Sequence, residues 1–138
     1  MTPATPLAGL RVLDLTTVVA GPIASLTLAQ QGAHIIKVEP PGGDLVRRLG
    51  FIAKDGSSST FQTLNRGKAL ISLDLSTEDG RAALAPLVEQ SDVVMHNYRP
   101  AAARKLGLDA DSLRARHDGL IVAEVTGFGP WDPLSDVR

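Results

Sequence analysis

The sequence contains no cysteine, and this absence excludes several kinds of chemistry. Disulfide bonds, thiolate nucleophiles and thiolate metal sites all require that side chain. No apolar run approaches the roughly 18 residues of a membrane-spanning helix, and residues 1–9 lack the basic start and apolar run of a secretion signal. These absences are typical of the reducing cytoplasm, which we expect to be the protein's location.

An excess of charge of either sign is also missing. The formal net charge is −1 over 138 residues, which gives no reason to expect nucleic acid or an anionic membrane as a partner. Hydrophobic residues make up 43% and charged residues 21%, as in soluble globular proteins rather than disordered ones. The length suits one domain, which we place over residues 1–138.

Short β-branched runs recur along the chain, and each predicts a buried strand. Helical segments separate them. One follows Pro22 at a plausible first helical position, and another follows a capping box of Ser76 and Asp79. This alternation predicts a Rossmann-like α/β domain with a largely parallel sheet and helices on both faces. The predicted strands are residues 11–15, 34–38, 70–73, 93–95 and 120–123.

Residues 40–68 interrupt the alternation. Prolines and glycines at 40–43 and the polar run at 55–59 predict a long, partly mobile loop. Basic side chains near this loop are candidates for phosphate contacts, although such charges more often form a solvated rim. They are Arg47, Arg48, Arg66 and Lys68.

Two segments at strand ends are candidates for ligand binding. Residues 18–22 open the first helix, where free backbone N–H groups favour an anion, although a lone glycine there is more often structural. Residues 96–100 follow the fourth strand, where Asn97 offers an amide and Tyr98 an aromatic face, with Lys105 beyond. Adenine and phosphates would suit these groups, but a simple turn closed by Pro100 explains the segment equally well.

Other chemistries find weaker support. Glu39 ends the second strand, where a nicotinamide-binding fold places its ribose acid, but the G-x-G-x-x-G fingerprint is absent. The histidines lack metal-site spacing, and no G-x-S-x-G elbow is present. Asp14, inside the first strand, is interpreted as structural. We therefore expect no catalytic residue and no metal ligand in this chain.

A series of short motifs, in order along residues 6–129, resembles the class III CoA-transferase (CaiB/BaiF) family, which includes α-methylacyl-CoA racemase relatives. Each motif alone is unspecific, and their succession carries the resemblance. The motifs are PLAGLRVLDL (6–15), AGP (20–22), GAHIIKVE (32–39), LNRGK (64–68), LDL (73–75), DVV (92–94), NYRP (97–100), LGL (106–108) and TGFG (126–129).

The resemblance implies that coenzyme A (CoA) or acyl-CoA binds as a substrate, with a carboxylic acid as the second substrate and no metal or redox cofactor. Pro40 and Ser76 stand where some relatives have basic residues, so Arg47 or Arg66 is expected to supply part of the phosphate contact. The residues that the resemblance places near CoA are Thr17, Val18, Ala20, Leu73, Asn97, Tyr98, Lys105, Thr126 and Phe128.

The resemblance also implies that the reacting groups lie elsewhere. Transferases of this family use an aspartate that attacks the thioester, and racemases use an acid/base pair; both are expected beyond Arg138. Relatives have a second domain and form interlocked homodimers. This chain is therefore expected to be the amino-terminal CoA-binding segment of a transferase, inactive alone. Two alternatives are the corresponding part of a racemase and a non-catalytic module that pairs with a partner chain.

Overall fold

The computed structural model describes residues 5–129 together with Asp132 and Leu134. Five strands form one sheet in which every neighbouring pair is parallel. The strands are β1 (Arg11–Leu15), β2 (His34–Glu39), β3 (Ala69–Ser72), β4 (Val93–His96) and β5 (Ile121–Glu124). The helices are α1 (Ala20–Gln30), α2 (Ser59–Asn65), α3 (Glu78–Glu89), α4 (Pro100–Leu106) and α5 (Ala110–Arg114), with a 3-10 helix at Leu45–Arg48.

The strand order is β3-β2-β1-β4-β5. The chain therefore builds outward from β1 through β2 to β3, and then returns to place β4 on the other side of β1. Parallel sheets of this kind bind ligands at their carboxyl edge where the order reverses. The predicted parallel α/β fold is confirmed, and the turns after β1 and β4 flank the reversal.

The core lies on both faces of the sheet because side chains alternate along each strand. Leu13 and Val94 point to one face, where they belong to a buried cluster that includes Leu84 of α3. Val12 and Met95 point to the opposite face, against which residues of α1 pack. Burial on both faces explains why β1, β2 and β4 read as continuous apolar runs rather than alternating ones. The prediction of buried strands is wrong for the two edge strands, since β3 is exposed and β5 is exposed or half-buried.

Two helix starts differ from the predictions. Helix α1 begins at Ala20 rather than Pro22. The predicted capping box of Ser76 and Asp79 is wrong by one position, because Thr77 is the N-cap of α3 and its Oγ1 accepts from the N–H of Gly80 at 3.1 Å. Ser76 instead donates its hydroxyl to Asp74, which makes a local side-chain turn that precedes the helix.

The prediction of one long loop over residues 40–68 is wrong where two short helices form. Asp44 caps the 3-10 helix and Ser58 caps α2, each by accepting a backbone N–H of the first turn. Val46, Phe61 and Leu64 pack into a small separate core. The apolar spacing of Phe61 and Leu64 on one helix face was the missed signal.

Among the residues that the structure describes, no helix is long and apolar enough to cross a membrane.

Candidate functional site

The turn between β1 and α1 contains a strained residue. Val18 has a φ of 70°, and no other non-glycine residue among the described ones has a positive φ. A β-branched side chain rarely adopts this left-handed region, because its Cβ approaches the backbone too closely. Strain of this kind persists only where surrounding contacts enforce it, and it concentrates at functional sites.

Asn97, which follows β4, holds the residue before the strained one. Its Oδ1 accepts from the N–H of Thr17 at 2.9 Å, and its Nδ2 donates to the carbonyl of Thr17 at 3.0 Å. The Asn97 amide, which the sequence suggested as a ligand contact, therefore uses both its oxygen and its nitrogen to bind the backbone of Thr17. It joins the turn after β1 to the end of β4 across the reversal of strand order.

A buried ion pair lies beneath this turn. Lys37 Nζ donates to the carbonyl of Thr16 at 2.6 Å and lies 3.2 Å from Asp44 Oδ2. Asp44 in turn accepts from the N–H of Val18 at 3.2 Å. Both charged side chains are fully buried. Sequence reasoning missed the pair, since a lysine in an apolar strand gives no local sign of its partner.

A second buried ion pair joins Asp14 of β1 to Lys68, which directly precedes β3. Lys68 Nζ is 3.2 Å from Asp14 Oδ2 and also donates to Pro22 O, Ser25 Oγ and Asn65 Oδ1. Burial lowers the pKa of Lys68, and the negative charge of Asp14 opposes that shift. The suggestion that Lys68 meets phosphates is wrong, because its ammonium is enclosed by protein oxygens.

Arg47 is also committed to a protein partner. Its guanidinium forms a salt bridge with Glu39 at 2.5 Å and stacks on the ring of Phe61 at 3.6 Å. Burial alone would raise the pKa of Glu39, but hydrogen bonds from Arg47 and from the Asp44 N–H outweigh it and lower that pKa. The charge of Glu39 is thus balanced by Arg47, which further disfavours Glu39 as a ribose acid and leaves Arg47 poorly placed for a phosphate.

A pocket of about 400 Å³ opens at the ends of β2 and β3. Leu73, Tyr98 and Lys105, all expected near CoA, line it together. The ring of Tyr98 stacks against His96 with centroids 5.6 Å apart, and burial raises the pKa of the Tyr98 hydroxyl. The pocket combines an aromatic and aliphatic wall with an exposed cation.

Arg81 brings a second cation to this pocket. Its Nη1 donates to the carbonyls of Leu75 and Ser76, both at 3.0 Å, which fixes the guanidinium at the rim. Of the acidic lining residues, Asp74 accepts from Ser76 and Glu39 is paired with Arg47. Sequence reasoning missed Arg81, although its place in the first turn of a helix that follows a strand end was a usable signal.

The remaining expected residues lie outside this pocket. Ala20 is the exposed first residue of α1. Thr126 follows β5, where its Oγ1 accepts from the N–H of Gly129 at 3.0 Å, and Phe128 beside it is 58% exposed. The structure thus gathers Thr17 and Asn97 in one contact and three other expected residues in one pocket.

A larger pocket of about 550 Å³ lies between α3, α4 and α5. It shares Leu75, Arg81, Lys105 and Leu106 with the smaller pocket, and of the residues expected near CoA it contains only Lys105. Because the smaller pocket opens at the carboxyl edge of the sheet, beside Tyr98, it is the stronger candidate for a ligand site. Among the described residues, no group of three histidines or carboxylates is arranged to hold a metal ion.

Comparison with known proteins links the chain to a family. The sequence model of CoA-transferase family III matches residues 7–137. A probable fatty acyl-CoA transferase of Mycobacterium tuberculosis is 42% identical over 95% of this chain, and a succinate–glutarate CoA-transferase of Agrobacterium fabrum is 44% identical over 95%. The solved structure of a CAIB/BAIF family protein from Brucella suis superimposes with a TM-score of 0.91 at 42% identity, over 98% of this chain and 37% of that one.

The chain spans about a third, 34%, of the length of both curated relatives. A likeness to a short-chain dehydrogenase/reductase family protein, at 17% identity and a TM-score of 0.50, shows the fold alone. The family match covers nearly the whole chain, and relatives above 40% identity align along it. This chain therefore belongs to CoA-transferase family III.

Proposed function

We propose that this chain forms the CoA-binding edge of an enzyme that moves CoA between carboxylic acids. The observation that carries the proposal is the arrangement of the sheet edge. The turn at Thr17 and Val18 is joined through Asn97 to the segment that holds Tyr98 over the 400 Å³ pocket. The relatives that align with nearly the whole chain are named as an acyl-CoA transferase and a CoA-transferase, which supports the same ligand.

The pocket suits the nucleotide end of CoA. Tyr98 and the leucines supply an apolar surface for the adenine, while Arg81 and Lys105 offer positive charge to phosphate groups. In this proposal Arg81 supplies the phosphate contact that the family resemblance led us to expect from Arg47 or Arg66. Pro40, which lines the same pocket, contributes no charge.

The chemical step is proposed to use a carboxylate outside residues 1–138. An aspartate there attacks the thioester carbonyl, the C–S bond breaks, and CoA leaves as the thiolate while a mixed anhydride forms. The thiolate then attacks the aspartyl carbonyl of this anhydride, which releases the donor acid and leaves an aspartyl-CoA thioester. The incoming carboxylate attacks that thioester and expels the CoA thiolate, which forms a second mixed anhydride. The thiolate finally attacks the acyl carbonyl of the incoming acid, which gives the new thioester and frees the aspartate. Within this account, the present chain binds and orients CoA, and full-length chains pair as homodimers.

Titration calorimetry on the full-length protein tests the binding function. CoA should bind, and a pantetheine lacking the nucleotide should bind more weakly because the pocket would be left empty. Equal affinities for the two compounds would show that this pocket does not hold the nucleotide. A racemase function would instead appear as inversion of an α-methyl acyl-CoA without any transfer to an acceptor acid.

A further inference from the structure

The strained turn is held by side chains rather than by regular secondary structure. Three consecutive residues, Thr16, Thr17 and Val18, each have a backbone group bound to a side chain from another part of the sheet edge. Lys37 binds the first, Asn97 the second and Asp44 the third. The left-handed φ of Val18, 70°, occurs at the last of these contacts.

Asp44 is the group that contacts the strained residue directly. Its Oδ1 and Oδ2 lie 3.2 and 3.3 Å from the N of Val18, and Oδ1 also accepts from the N–H of Val46. The side chain is fully buried, so water does not compete for these bonds. A charged acceptor strengthens a hydrogen bond to an amide in such a setting.

Lys37 pairs with this buried carboxylate and holds it in place. Its ammonium lies 3.2 Å from Asp44 Oδ2 and donates to the carbonyl of Thr16 at 2.6 Å. A buried carboxylate without a cation would be strongly disfavoured. The lysine therefore connects the turn and the carboxylate through a single group.

We propose that Asp44, held by Lys37, is a positioning residue that keeps Val18 in its left-handed conformation and so preforms the turn for CoA. The proposal rests on the function proposed above. Without Asp44, Val18 relaxes to a negative φ, and the fraction of molecules with a binding-competent turn falls. The apparent dissociation constant rises in inverse proportion to that fraction.

A double-mutant cycle on the full-length protein tests this role, with CoA affinity measured by titration calorimetry. Asp44→Asn keeps the shape but offers one acceptor oxygen to three donors, so we expect affinity to fall by about tenfold. In a Val18→Gly background the same change should weaken affinity only about twofold, since glycine adopts positive φ without strain. Asp92→Asn is the matched control. Asp92 directly precedes β4 and pairs with Arg11 at the amino end of β1, away from the turn, so its substitution should not alter affinity.

An Asp44→Asn penalty that is equal in both backgrounds, or absent in both, would overturn the positioning role while leaving CoA binding intact. Failure of the parent protein to bind CoA would overturn the proposed function itself, and this proposal with it.

If Asp44→Asn does not fold, as judged by circular dichroism, two substitutions at Val18 decide the matter. Val18→Ala keeps the N–H that donates to Asp44, whereas Val18→Pro removes that N–H and cannot adopt positive φ. We expect the proline variant to bind CoA at least about tenfold more weakly than the alanine variant. Equal affinities would overturn the proposal.

Discussion

The side chain of Asn97 and the backbone of Thr17 form a reciprocal pair: the amide oxygen accepts at 2.9 Å and the amide nitrogen donates at 3.0 Å. This contact connects the carboxyl ends of β1 and β4, which are adjacent in the sheet, through two residues that are 80 positions apart in sequence. Parallel sheets of this order place their ligands at that junction.

Asn97→Asp should destabilise the protein and weaken CoA binding. The carboxylate still accepts from the Thr17 N–H, but it has no donor for the Thr17 carbonyl and repels it. Loss of one part-buried bond costs about 1–2 kcal/mol of unfolding free energy. Urea unfolding measures that loss. Gln62→Glu, at an exposed position of α2, is the control, and an equally small effect of both changes would contradict the role of Asn97.

The two pocket cations should contribute to CoA affinity. Arg81→Gln and Lys105→Gln are each expected to weaken CoA roughly fivefold in calorimetry, because each removes a positive charge near the phosphates. The effects should shrink at high salt, which screens exposed charges. Arg48→Gln, which removes an exposed cation outside this pocket, is the control. If all three variants bind alike, the phosphates lie elsewhere.

Tyr98→Ala should also weaken CoA binding, by about 1 kcal/mol, through lost ring contact with the adenine. Tyr98→Phe is the matched control because it keeps the ring and removes only the hydroxyl. Calorimetry on both variants separates the two contributions. An alanine variant that binds as tightly as the phenylalanine variant would place the adenine outside this pocket.

His96 should make stability depend on pH. It is buried beside Glu124, with Nε2 3.6 Å from Oε1. Burial lowers its pKa, and the charge of Glu124 opposes that shift only in part. Between the folded and the ordinary pKa, the unfolded chain binds more protons, so the unfolding free energy falls as pH drops through about 6.5.

Urea unfolding between pH 7.5 and 5.5 measures this dependence. His96→Gln should flatten the curve over the range, whereas His34→Gln, which removes an exposed histidine, should leave its slope in place. A parent protein that gains stability as the pH falls would reverse the predicted sign.

The sequence predicted the fold well because five apolar runs separated by helical segments fit only a few parallel arrangements. It also indicated that the segments at residues 18–22 and 96–100 lie at one edge of the sheet, since both follow strands. Ligand binding at that edge stays a prediction. It did not predict the charges beneath that edge. No local sequence pattern indicates that Lys37 pairs with Asp44. Lys68 has the sequence context of a surface cation, and only the fold brings it to its partner Asp14.

The central claim is that this chain holds CoA while the reacting carboxylate lies outside it. The most direct test is to incubate the full-length protein with acyl-CoA and an acceptor acid, trap the acyl or CoA adduct, and map it by mass spectrometry. We expect transfer to the acceptor, an adduct outside residues 1–138, and no turnover by the 138-residue chain alone. An adduct on any residue from Met1 to Arg138, or turnover by the isolated chain above the buffer rate, would contradict the account.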